Sequence, residues 1–115
     1  MTTTIFHNPR CSKSRQALEI LQSRGIEPTV LHYLDTPPSH DELSDLFRKL
    51  GLRPRDIIRS NDSIYKDLGL GDTSLSDSQL IAAMAENPIL IERPIVVRGD
   101  KAVVARPPEA ILDLI

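Results

Sequence analysis

The segment Thr3-Thr4-Ile5-Phe6-His7-Asn8-Pro9-Arg10-Cys11-Ser12-Lys13-Ser14-Arg15 joins a β-rich run to the only cysteine of the chain and then to a helical pattern. Thr3 to His7 reads as a short strand. From Ser12 to Arg24, Ala17, Leu18, Ile20 and Leu21 recur at helical spacing, with Gly25 as the stop. Cys11 therefore falls between a strand end and a helix start. A lone cysteine is more often a small buried hydrophobe than a nucleophile. Here Arg10, Lys13 and Arg15 lie within four positions of the sulfur, and both local cations and a helix N-terminus lower a thiol pKa. The context points to a reactive thiolate.

Working outward, Thr29 to Tyr33 reads as a second, buried strand, and strand, helix and strand of these lengths predict a right-handed βαβ unit with parallel strands. Thr36-Pro37-Pro38 breaks the chain. Ser39 with Glu42 forms a capping box, and Leu43, Leu46, Phe47 and Leu50 mark the buried face of a helix ending at Gly51. Arg53 to Leu70 reads as short helical turns with loops. Ser76 with Gln79 is a second capping box, Leu80, Ile81 and Met84 follow it, and Asn87-Pro88 closes that helix. Ile95 to Val97 and Ala102 to Val104 flank Arg98-Gly99-Asp100-Lys101 as a β-hairpin, and Pro107-Pro108-Glu109 opens a last helix. The order predicts an α/β fold: one domain over 1–115, with a four-stranded mixed sheet and a helical insertion at about 36–88. It resembles the thioredoxin-like fold, which places its reactive sulfur after the first strand.

The bulk properties narrow the function. With 115 residues, 40% of them hydrophobic and 26% charged, the chain reads as a folded soluble domain with one core. One cysteine excludes an internal disulfide, and the three histidines have no zinc-like spacing, so no metal site is expected. No apolar run or leader pattern points to a membrane, and the cytoplasm is the expected location. A net charge of -2 and four aromatic residues are a poor endowment for nucleic acid. Ten arginines against four lysines favour oxyanion recognition, since the guanidinium fork matches it and an ammonium does not.

Three chemistries compete for Cys11. A dithiol oxidoreductase needs a second cysteine at position 14, where Ser14 stands. A C-x5-R phosphatase needs arginine at position 17, where Ala17 stands. A monothiol nucleophile, attacking an oxyanion or a disulfide and reduced by an outside thiol, meets the residue test.

His7-Asn8-Pro9-x-Cys11 with Ser14-Arg15 resembles the active-site segment of the glutaredoxin/glutathione-dependent arsenate reductase (ArsC) family. Ile58-Arg59, Glu92-Arg93-Pro94-Ile95-Val96-Val97 and Ala105-Arg106-Pro107 resemble its later blocks, in order, over nearly the whole chain. The resemblance implies an enzyme that reduces arsenate to arsenite. Cys11 would be the nucleophile and His7 would favour its thiolate, with Arg59, Arg93 and Arg106 holding the oxyanion; Ser14 is placed with the substrate-binding residues, and Ser12 and Ser14 could each cap the helix or bond the thiolate. It further implies glutathione as co-substrate, glutaredoxin as partner, no bound cofactor and no metal; a monomer is expected. Pro94 matches the proline that is cis beside the active cysteine in this fold.

The match is nearest to a short "NPRCSKSR" subgroup. Arsenate-reducing members carry small uncharged residues where this chain has Arg10 and Ser12-Lys13, and they extend beyond the position of Ile115. Two other readings stand beside the first. One is a monothiol reductase of glutathione mixed disulfides. The other is a redox-insensitive binding module of the same fold, like transcription regulators whose C-x-x-C switch Ser14 excludes.

Overall fold

In the computed structural model, which describes residues 2–115, β1 (Thr3–Phe6), α1 (Ser12–Ser23) and β2 (Thr29–Leu31) form the expected parallel βαβ unit. The helical middle contains α2 (His40–Leu50), α3 (Pro54–Ile57), α4 (Ser63–Asp67) and α5 (Asp77–Glu86), then a 3₁₀ turn over Pro88–Leu90. The hairpin β3 (Ile95–Arg98) and β4 (Lys101–Val104) follows, and a second 3₁₀ segment covers Pro108–Asp113. Two compact units result: one from the segments up to Thr36 and from Arg93 onward, the other spanning Pro37–Glu92.

In the first unit the sheet order is β2-β1-β3-β4, with β1 parallel to β2 and antiparallel to β3, which is antiparallel to β4. This is the mixed four-stranded sheet predicted. Central position explains which side chains are covered: Ile5 on β1 and Val96 on β3 pack with Ala17 and Leu21 of α1, Ala105 and Ile111. Gly99 makes the hairpin turn at φ 61°, the left-handed conformation that a two-residue connection requires.

Two expectations change. β2 is not buried: Thr29 and Val30 are exposed, because the strand is three residues long and has a neighbour on one side only. The C-terminal helix is 3₁₀ rather than α. Its six residues begin at Pro108, directly after Pro107, so two amide donors are missing at its start, and it packs against α1 through Ile111.

In the second unit, α2 has both halves of its capping box, acidic residues in its first turn, Arg48 and Lys49 in its last, and Gly51 at φ 67° as the left-handed stop. Leu43, Leu46 and Phe47 are buried where α2 meets α5, whose Leu80, Ile81 and Met84 are buried likewise. Arg55 ties the irregular stretch down, donating to Tyr65 Oη at 3.0 Å, to the Leu70 carbonyl and to the Asp72 carbonyl at 3.1 Å. The unit runs on to Glu92 because Ile91 pairs with Ile58 and the Arg59 amide donates to the Leu90 carbonyl at 2.9 Å.

The contrast between core and edge is measurable. Leu21, fully buried, should cost about 3 kcal/mol on truncation to alanine. Val30, 37% exposed, should cost under about 1 kcal/mol. Urea unfolding of Leu21→Ala and Val30→Ala checks this, and equal losses would contradict the assigned core.

Candidate active site

Strand register gathers the candidate residues. Phe6 is aligned with Ile95, and Ile95 with Val104. Arg93 stands two residues before β3 and Arg106 two residues after β4, so the antiparallel hairpin brings both to the same end of the sheet. A 2.8 Å bond from the Ala105 amide to the Pro94 carbonyl continues the hairpin in that direction. The Arg93-Pro94 peptide is cis, as expected, and so is Arg106-Pro107, which nothing in the sequence had singled out.

The loop between β1 and α1 is shaped by Asn8. Its side-chain oxygen accepts from the Arg10 amide at 3.0 Å and its carbonyl accepts from the Cys11 amide at 3.0 Å. Cys11 is the N-cap of α1 and is partly buried. As a neutral thiol it makes no side-chain capping bond, thiols being weak acceptors. Ionisation changes that. Burial pushes the thiol pKa up, but the Ser14 amide, the Arg93 guanidinium and the Lys13 amide together outweigh it, and the pKa lies below its ordinary value. The decisive cation thus comes from the start of the hairpin. Of the cations adjacent in sequence, Arg15 is turned to the Pro9 carbonyl at 2.8 Å, and Arg10 and Lys13 are exposed.

Ser14 and His7 form one buried pair. Ser14 Oγ lies 2.6 Å from His7 Nδ1 and accepts from the Asn8 amide at 3.1 Å. Burial, then the neighbouring His32 and Arg15, hold the His7 pKa below the ordinary imidazole value. His7 is therefore neutral near pH 7 and brings no positive charge to the sulfur. Its contact is with Ser14, whose amide does act on the thiol.

Arg106 is exposed in the turn after β4. Arg59 belongs to the helical unit, where its Nη1 lies 3.5 Å from Glu92 Oε1. Asn8 and Glu92 were not singled out from the sequence, although both stand inside quoted motifs; their contacts depend on turn geometry and on pairing across 33 positions. Among the described residues no three His, Cys, Asp or Glu side chains could hold a metal, and no helix is long and apolar enough to cross a membrane.

The pH profile of Cys11 alkylation should have a midpoint below that of a free thiol, and Arg93→Ala should move it upward; an unmoved midpoint would rule out the guanidinium. For His7 the folded-state pKa is the depressed one, so its stabilisation is present above the unfolded value and lost as pH falls through the folded value. The melting temperature should therefore fall as the pH drops below about 6.5, the ordinary imidazole value, and fall less in His7→Asn. Parallel curves for the two proteins would refute the assignment.

A family model described as the ArsC family matches residues 6–114. The chain is 54% identical over 108 residues to an arsenate reductase of Neisseria meningitidis, covering 93% of this chain and 92% of that protein. It is 49% identical over 112 residues to the uncharacterized protein YfgD of Escherichia coli, covering 96% and 94%. A solved structure titled arsenate reductase from Vibrio cholerae superposes with a TM-score of 0.97 at 51% identity, covering 100% of this chain and 98% of that one. Matched from the cysteine segment to its last residues, the chain belongs to the ArsC family.

Proposed function

We propose that the protein reduces arsenate to arsenite, with Cys11 as its single nucleophile and glutathione and glutaredoxin supplying the outside thiols. The observation that carries this reading is the thiol held below its ordinary pKa by two helix amides and Arg93. Relatives named arsenate reductase at about half identity support the choice of oxyanion. The protein works as one domain, in the cytoplasm, as a monomer.

Electrostatics sets the roles. A thiolate approaching an arsenate anion brings like charges together, costing about 4 kcal/mol per pair at 4 Å and an effective dielectric of 20. Arg59, Arg93 and Arg106 offset that repulsion by holding the oxyanion through charge-assisted bonds. The Cys11 sulfur then bonds to arsenic and one oxygen leaves, taking protons to depart as water. A glutathione thiol attacks the Cys11 sulfur, the sulfur–arsenic bond breaks with its electron pair passing to arsenic, and glutaredoxin reduces the resulting mixed disulfide to return Cys11. In sum, arsenic acid and a pair of thiols become arsenous acid, a disulfide and water; arsenic gains the electron pair that the thiols lose. Ser14 holds its amide toward the sulfur, and His7 serves by keeping Ser14 in place.

The test is arsenite production with glutathione and glutaredoxin present. Cys11→Ser should lower turnover by about 10³-fold or more, and Arg93→Ala or Arg106→Ala by roughly 10²-fold. Activity on glutathionylated protein but none on arsenate would replace this reading with a mixed-disulfide reductase. Turnover persisting in Cys11→Ser would end the nucleophile assignment.

A further inference from the structure

We propose that Glu92 is the positioning residue of Arg59, restraining one edge of the guanidinium so that its remaining donors stay available to the oxyanion. The proposal rests on the reading that Arg59 binds that anion. The two residues are 33 apart in sequence and are joined by backbone pairing within the helical unit. Ile58 bridges Ile91, and the Arg59 amide donates to the Leu90 carbonyl at 2.9 Å. Antiparallel pairing sets Arg59 level with Leu90, so Glu92 is its diagonal neighbour on the same face, within reach of long side chains. Arg59 Nη1 meets Glu92 Oε1 at 3.5 Å, with both side chains about three-quarters covered (25% and 26% exposed).

That contact engages one prong of a five-donor group. Glu92 is the only side-chain partner of Arg59 among the described residues. One edge of the guanidinium is thus restrained, and the other donors are left for a ligand. A long arginine side chain held by nothing loses much of its rotamer freedom on binding an anion. Held by Glu92, it has lost part of that freedom beforehand, which strengthens binding without any new contact to the ligand. At 3.5 Å the ion pair is single-pronged and long, so a tetrahedral anion taking the free edge need not break it.

Steady-state kinetics with arsenate, and inhibition by inorganic phosphate, test this in the full chain. Glu92→Ala should raise both KM and the phosphate inhibition constant about tenfold, with kcat changed less than about twofold. Glu92→Gln, which keeps an acceptor oxygen, should raise them only about threefold. In the Arg59→Ala background, Glu92→Ala should add nothing, since Glu92 acts through Arg59. Additive losses overturn the proposal, as does a fall in KM, the mark of a carboxylate that competes with the anion. If Arg59→Ala raises KM while Glu92→Ala does not, the positioning role alone fails. If Arg59→Ala changes neither constant, the oxyanion role of Arg59 fails and this inference falls with it.

Discussion

Opposed influences act on a partly buried sulfur, and the start of the first helix and the cation from the hairpin side are arranged to ease its ionisation. Desolvation is the strongest influence on Cys11 and acts against ionisation. Two amides of the first helical turn and one guanidinium reverse the balance. Amides do so only if they point one way. Free to reorient, they would solvate the anion no better than water does; fixed in a helix start, they need no reorganisation. The rigidity comes from the buried Ser14 hydroxyl, held by His7 and the Asn8 amide, and from the Asn8 carbonyl that accepts from Cys11 itself.

The sheet supplies what the loop cannot. A cation adjacent in sequence to an N-cap residue sits on a flexible, solvated turn, where water screens it. Arg93 instead stands two residues before β3, which pairs with β1, and its guanidinium acts on the thiol. The hairpin brings Arg106, two residues past β4, to the same end of the sheet. Cationic side chains from a distant part of the sequence thus flank two paired strands at one end of the sheet. The basic cluster around Cys11 shares their sign but not their fixed placement, as the turning of Arg15 to the Pro9 carbonyl illustrates.

Features legible in the sequence are those determined within a few residues. Both capping boxes, the Gly51 stop and the Gly99-Asp100 turn are local hydrogen-bonding and dihedral requirements, and each is found where the residues place it. The apolar run Thr29 to Tyr33 misleads because burial of a strand depends on its neighbours, which periodicity does not encode. The final helix turns out 3₁₀ because paired prolines and packing against α1 outweigh an aliphatic pattern. The same division applies to the site. Cys11 and the arginines are marked by residue type and motif. The Ser14–His7 and Arg59–Glu92 contacts arise from pairing or turn geometry, and a motif names their members without saying what they touch.

Ser14 carries the clearest mechanistic consequence. It stands where a C-x-x-C protein keeps its second sulfur, and with no thiol at that position the electrons must come from outside. Its side chain is fully buried, takes up a bond with His7 at 2.6 Å, and accepts from Asn8, while its amide supports the thiolate. A thiol there would be a weak hydrogen-bonding partner for both neighbours, so the helix start would lose the anchor that holds its amides in place. The position thus cannot serve well both as a resolving thiol and as the lock on the anion-stabilising amides. In this chain the position holds the buried hydroxyl, so it offers no resolving thiol while its amide lowers the Cys11 pKa.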